Sequence, residues 1–225
     1  MKLSDILASK TEIFWKEASE KNFLTEMAMG NMDKAKFCNY MLQDYLYLLD
    51  YIDILKDMKK TGVNEKLGLF LDDIICDTEN ETYRVHVPAM KNLGISENEI
   101  EKGEKAAVIS DYVGYMKKVL SEEGMLAGLT AMLQCSWNYA YIAEVIFEKY
   151  KKELETSEYK FWFDAYNCKE YTDSNRLWID ALDNEASGID RDETEKLCEI
   201  FITCSKYENS LWDYLDSYET ELNRN

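Results

Sequence analysis

The chain is short of the residues that interrupt helices. It has one proline, Pro88, and nine glycines among 225 residues, so helical patterns run on without a break. Histidine is as scarce, since His86 is the only one. That excludes the two Glu-x-x-His motifs of a di-iron bundle. The ordinary reading of His86, preferred to a haem ligand, is a partly exposed helix histidine beside the kink that Pro88 imposes. Cysteine occurs six times, at Cys38, Cys76, Cys135, Cys168, Cys198 and Cys204, but never as Cys-x-x-Cys. A structural zinc site therefore has no support, and neither does any other metal or cofactor cage. Such unpaired thiols, behind a start (Met1 to Asp5) with no secretory signal, read as reduced and cytoplasmic. No stretch reaches the roughly 18 apolar residues of a membrane span. Positive charge is also in deficit: 26 Lys and Arg against 44 Asp and Glu leave a net charge of −18. The lysine pairs Lys59-Lys60, Lys117-Lys118 and Lys151-Lys152 are isolated, so a nucleic acid is repelled rather than steered in.

What is present is an amphipathic, aromatic-rich chain, with 46% hydrophobic residues, 13% of the chain being Phe, Trp or Tyr. Its length suits one domain over residues 1–225. Glycines at 30, 62, 94, 124 and 188 punctuate eight segments, each apolar at a period of three to four. They are Ser4 to Met29 with a break near Glu20-Lys21-Asn22; Asp33, as N-cap, to Thr61; Asn64 to Asn92, with a kink or a fresh start at Pro88; and Ser96 to Ser121, opening on a capping box and restarting after Gly103. Then come Glu122 to about Lys152, Glu158 to Cys168, Asp173 to Ala186, and Asp190 to about Leu222. The run Glu148 to Glu158 reads as a solvated corner. Roughly seven to ten helices make an all-α bundle.

Three stripes carry residues that do not belong in a plain core. Phe37, Met41, Asp44, Leu48, Tyr51 and Leu55 form one, with Asp44 where the pattern asks for Leu. Leu197, Phe201, Cys204, Glu208, Leu211 and Leu215 form another, with Glu208 as the odd member. Gly128, Met132, Cys135, Tyr139, Ile142 and Ile146 form the third. A core-facing thiol is usually a small hydrophobe, and a lone stripe carboxylate is as often an edge residue reaching water. An unpaired buried carboxylate, however, costs several kcal/mol, of the order of a domain's whole stability. Two such carboxylates plus a thiol, each central on its helix, point to a cavity between helices lined with acid, nucleophile and phenols.

Several motifs then fall in order along the chain: Leu42-Gln43-Asp44-Tyr45-Leu46-Tyr47-Leu48, Asp111-Tyr112 before Met116, Cys135-Ser136-Trp137-Asn138-Tyr139, Tyr166, and Tyr207-Glu208 before Leu211-Trp212-Asp213. In this set the chain resembles the TenA family (thiaminase II, aminopyrimidine aminohydrolase) over nearly its whole length, in the branch that carries the cysteine. The resemblance implies a haem-oxygenase-like all-α fold, a homotetramer, and a pocket for a small pyrimidine without metal or cofactor. It implies a hydrolase of thiamin salvage that turns an aminomethyl-aminopyrimidine into its hydroxymethyl form plus ammonia and can cleave thiamin. By the same resemblance Cys135 is the nucleophile and Glu208 the acid/base. Asp44 binds the ring nitrogen and amino edge, Tyr47, Tyr139 and Tyr166 wall the ring, and Tyr112 sits near the thiol.

The chain departs from the family pattern beside the cysteine, where Gln134 replaces a proline and Ser136 an aromatic. The first bears on packing before the nucleophile, the second on pocket shape and substrate preference. The rival reading keeps the fold and the pocket but not turnover: a non-catalytic aminopyrimidine-binding or regulatory protein. The aromatic surplus leaves apolar area to bury between subunits, in line with the tetramer. Light scattering at micromolar concentration is expected to give four chains, and the mass of one, 26.4 kDa, would contradict it.

Overall fold

The computed structural model describes residues 2–218, and among them every regular element is helical. In chain order these are α1 (Leu3–Ser19), α2 (Asn22–Met29), α3 (Lys34–Lys60), α4 (Glu65–Asn80), a π-helical turn (Glu81–His86) and α5 (Val87–Leu93). They continue as α6 (Glu97–Lys102), α7 (Ala107–Glu123), α8 (Met125–Lys149), α9 (Lys151–Leu154), α10 (Lys160–Asn167), α11 (Lys169–Glu185) and α12 (Arg191–Ser217). The described residues thus hold twelve α-helices, above the seven to ten that periodicity suggests. The surplus comes from short pieces: α6 stands apart from α7, and α9 turns part of the expected solvated corner into a helix that buries Leu154. The last residues of the eighth segment, up to Leu222, lie outside the described residues.

Side chains cap five of the helix starts among the described residues. The Asp33 carboxylate accepts from the Ala35 and Lys36 amides at 2.7 and 3.4 Å, Asn64 accepts from Leu67 at 2.9 Å, and Asp190 from Glu193 at 2.9 Å. Ser96 and Glu99 close a reciprocal capping box. Each satisfies amide donors that a helix start leaves unpaired. Helix α11 begins earlier than its apolar pattern, because the Cys168 thiol serves as its cap, accepting from the Tyr171 amide at 3.4 Å.

The helices gather into two compact units. Named by their place in the sequence, the central unit is Asp33–Met125, and the flanking unit combines the chain up to Met32 with Leu126–Tyr218.

In the central unit α3 packs against α4, the π-helical turn, α5 and α7. Gln43 clamps the α6–α7 connection, donating to the Glu104 carbonyl at 3.0 Å and accepting from the Ala106 amide at 2.8 Å. Asp50 binds Lys105 and Lys117. Burial opposes its ionisation, but the two ammonium groups outweigh that and hold its pKa below the usual carboxylate value. On α7 the buried face is Ile109, Tyr112, Val113, Met116, Val119 and Leu120, and Val108 at its start is only half-buried.

Of the kink or fresh start expected at Pro88, the chain takes the fresh start, with α5 beginning at Val87. Pro88 stands in the first turn of α5, where a missing N–H is harmless. The turn before it is widened, with the Val87 amide bonded to the Thr82 carbonyl, five residues back. The buried hydroxyls of Thr78 and Thr82 bond back to the carbonyls of Ile74 and Thr78 at 2.8 and 2.7 Å, contacts that bend helices.

In the flanking unit α1 packs along α12 and touches α11. The Ser4 amide and hydroxyl donate to Asp183 at 2.9 and 2.7 Å, and the Asn209 amide donates to the Phe14 carbonyl at 3.2 Å. Trp15 packs against Trp137, Tyr141 and Phe201, with ring centroids 5.2, 5.5 and 6.1 Å away. Gly30 ends α2 at φ 71°, and a Cβ there would lie 3.3 Å from the Ser157 Cα. Glycine satisfies both the left-handed backbone and the close approach. The Ser157 hydroxyl completes the contact by donating to the Met27 carbonyl at 2.6 Å.

Candidate active site

Asp44 occupies the core side of α3 and is 7% exposed. Its carboxylate meets the one histidine of the chain: His86 Nε2 lies 2.6 Å from Asp44 Oδ2. His86 is 5% exposed, which overturns the reading of it as a partly exposed surface histidine. The other ring nitrogen, Nδ1, lies 3.3 Å from the Glu81 carbonyl within the π-helical turn. Burial works against the imidazolium, but the hydrogen bond and charge of Asp44, helped by Glu81, outweigh it and raise the His86 pKa from 6.5 to about 9. Sequence reasoning missed this residue, although the signal was there. Leu71, Ile74, Thr78, Thr82, His86 and Met90 step by three to four, and all are buried. The polar members made the stripe look like an exposed face. Close by in sequence and in the same unit, buried Tyr47 stacks on Tyr112, with ring centroids 5.7 Å apart and planes 27° apart.

The flanking unit holds the other candidates. On α8, Met132, Tyr139, Ile142 and Ile146 are buried, while Cys135 in the middle of their stripe is only partly so. A thiol used purely as core filling would be sealed like its neighbours. Tyr139 is enclosed by aromatic rings: Tyr166 at 5.0 Å edge-on, Trp162 at 5.7 Å and Trp212 at 5.6 Å. Tyr166 thus packs directly beside Tyr139. Trp162 and Trp212 belong to the same aromatic cluster. Glu208 is 1% exposed, one turn before Trp212 on α12. A carboxyl group so deeply placed is neutral, paired or turned to a ligand.

The atypical neighbours of Cys135 also have physical roles. Gln134 is fully buried and donates to the Ser205 hydroxyl at 3.1 Å, which in turn donates to the Phe201 carbonyl at 3.0 Å. It thus ties the turn before the thiol to α12, the helix of Glu208. Ser136 bonds back to the Leu133 carbonyl at 3.3 Å, and its own carbonyl accepts from Asn175 at 3.2 Å. Asn138, one turn after Cys135, is buried with neither amide atom hydrogen-bonded among the described residues.

The candidates thus fall into two sets, Asp44, Tyr47 and Tyr112 in the central unit and Cys135, Tyr139, Tyr166 and Glu208 in the flanking one. Among the described residues no group of three or more His, Cys, Asp or Glu could hold a metal ion. None of the helices is long and apolar enough to cross a membrane.

A family model described as the TENA/THI-4/PQQC family matches residues 8–218. The chain belongs to that family. Within the TENA/THI-4/PQQC family, it is 31% identical over 216 residues to an aminopyrimidine aminohydrolase of Halalkalibacterium halodurans, covering 95% of each chain. An aminopyrimidine aminohydrolase of Helicobacter pylori is 27% identical over 213 residues, covering 95% of this chain and 98% of its own. A solved TenA homologue from P. horikoshii OT3 has a TM-score of 0.84 at 26% identity, over 96% of this chain and 98% of that one. The all-α bundle expected from periodicity is thus the fold of known TENA/THI-4/PQQC structures.

The buried pair makes the stability of this family member depend on pH. A group whose pKa is raised on folding stabilises fully below its unfolded value and loses that contribution as pH rises through the folded one. The stability gap between wild type and His86→Gln, measured by urea unfolding between pH 5.5 and 10, is expected to be largest at or below about pH 6.5 and to shrink as pH passes about 9. A gap constant across that range would contradict the ion pair.

Proposed function

We propose that the chain is an aminopyrimidine aminohydrolase with thiaminase II activity, acting in thiamin salvage as a cytoplasmic homotetramer. The observation that carries the reading is the partly exposed Cys135 thiol on a stripe otherwise buried. The deeply buried Glu208 carboxyl and the aminohydrolases similar over 95% of the chain support it.

In this reading Asp44 takes the ring nitrogen and amino edge of the pyrimidine. Tyr47, Tyr139 and Tyr166 hold the ring between their faces, and Tyr112 sits near the thiol. The Cys135 sulfur bonds to a ring carbon, and the displaced π electrons move onto a ring nitrogen, which takes up a proton. The ring, no longer aromatic, expels the amine from its exocyclic methylene, and Glu208 supplies the proton with which it leaves as ammonia. Water then adds its oxygen to the methylene and returns a proton to Glu208. The carbon–sulfur bond breaks, the thiolate leaves, the ring nitrogen gives up the proton it had taken and aromaticity is restored. The sum is amine plus water to alcohol plus ammonia, with nothing oxidised or reduced. When thiamin is the substrate, the thiazole leaves in place of ammonia. The chemistry needs a nucleophile and one carboxyl group that serves as acid and then base.

An assay following ammonia and thiazole release tests this. Cys135→Ser replaces a thiol with an ordinary pKa of about 8.5 by a far less acidic hydroxyl. Turnover is expected to fall by several orders of magnitude while hydroxymethylpyrimidine still binds. Glu208→Gln is expected to bind and stall, with a loss of about 100- to 10,000-fold, and Asp44→Ala to weaken binding itself. The double variant Cys135→Ser/Glu208→Gln is expected to be little worse than the poorer single. Undiminished turnover by Cys135→Ser would make the cysteine a core residue, and a wild type that binds without turning over would make the protein a binder.

A further inference from the structure

We infer that His86 is a positioning residue for the pyrimidine site, holding the Asp44 carboxylate in one orientation so that it accepts only from a ligand edge that donates. The inference rests on the reading of Asp44 as the group that binds the amino edge.

The geometry leaves the pair little choice. His86 Nδ1 faces the Glu81 carbonyl at 3.3 Å, an acceptor, so that nitrogen carries hydrogen. A neutral ring would then turn a lone pair at Nε2 toward Asp44 Oδ2, 2.6 Å away, and two acceptors at that distance repel. A proton must lie between them. Both groups are more than nine-tenths buried, and the imidazole is far the stronger base, so the proton stays on the ring. The bond is charge-assisted at its short distance. The groups that act on the ring are Asp44 from α3 and Glu81 from its own turn.

The backbone is shaped for this contact. The π-helical turn Glu81–His86 inserts one residue into the helical path between α4 and α5, which rotates the face of α5 by about 100° relative to an unbroken helix. It also gives His86 a carbonyl five residues back within reach of Nδ1. Widened turns of this kind recur at functional sites. Thr78 and Thr82, with their hydroxyls spent on backbone carbonyls, do not compete for the Asp44 carboxylate.

The consequence is chemical selection. With Oδ2 held by His86, Asp44 offers Oδ1, an acceptor with a full negative charge close behind it. An aminopyrimidine edge meets it with an amino N–H and, once a ring nitrogen is protonated, a second donor. An oxopyrimidine presents a carbonyl oxygen and is repelled. Asp44 alone, free to rotate, would not discriminate in this way.

Because His86 is the only histidine, histidine-selective nitrogen-15 NMR reads it without ambiguity. In wild type at pH 7.5 both ring nitrogens are expected to be protonated. In Asp44→Asn the ring should be neutral, and saturating hydroxymethylpyrimidine should shift the wild-type signals. A neutral wild-type ring, or signals blind to the pyrimidine while it binds, would overturn the inference, and this reading needs no variant of His86 to fold. In kinetics, His86→Gln is expected to raise KM for the aminopyrimidine and Kd for hydroxymethylpyrimidine together by about 10- to 100-fold, the scale of one hydrogen bond to a charged group. kcat should change less. A folded His86→Gln with unchanged KM and Kd would overturn the role of His86 while leaving the hydrolase reading intact. A wild type that releases no ammonia would instead sink the hydrolase reading.

Discussion

A carboxylate taken out of water must be given a partner, and much of the central unit serves that requirement for Asp44. Helix α3 places the side chain on its core face, where an unpaired charge would cost several kcal/mol. The partner comes from a helix that has to be widened by one residue to bring His86 to it at 2.6 Å. Pro88 tolerates that widening because it stands in the first turn of the next helix. The buried threonines before it satisfy their own hydroxyls on the backbone. Remove the carboxylate and neither the histidine nor the widened turn has an evident purpose. A structural core would be served as well by apolar residues, since buried ion pairs seldom add stability over well-packed hydrophobes.

The flanking unit holds a partly exposed thiol, Cys135, on the same helix as a ring of the aromatic cluster, Tyr139. Rings of Tyr139, Trp162, Tyr166 and Trp212 brace one another at centroid distances between 4.7 and 6.4 Å. Rigid aromatic walls suit a flat heteroaromatic ligand, whose faces they can match at small entropic cost. Gln134 secures the turn before Cys135 to Ser205 on the helix that carries Glu208. A proline at this position could not make that bond.

Much of this was legible in the residues. The periodicity placed Asp44 and Glu208 on buried stripes, and both are buried. Caps such as Asp33, Ser96 and Asp190 marked helix starts because short polar side chains have one evident use there. The start of α11 was missed because its cap is a thiol, Cys168, which propensity does not flag. His86 was misread for a related reason. Its stripe includes two threonines, and a hydroxyl bonded to its own helix looks, in sequence, like a residue facing water. The roles of Tyr47, Tyr112, Tyr139 and Tyr166 came from resemblance, because sixteen tyrosines give periodicity no means of separating a ring that packs from one that binds.

The claim on which the functional account turns is that Cys135 stands in the pyrimidine site. Iodoacetamide labelling of the native protein, mapped cysteine by cysteine, tests it directly, with exposed Cys76 and partly exposed Cys168 as internal standards. Saturating hydroxymethylpyrimidine should slow alkylation of Cys135 at least tenfold and leave Cys76 and Cys168 unchanged. Equal alkylation of Cys135 with and without bound pyrimidine would contradict the account.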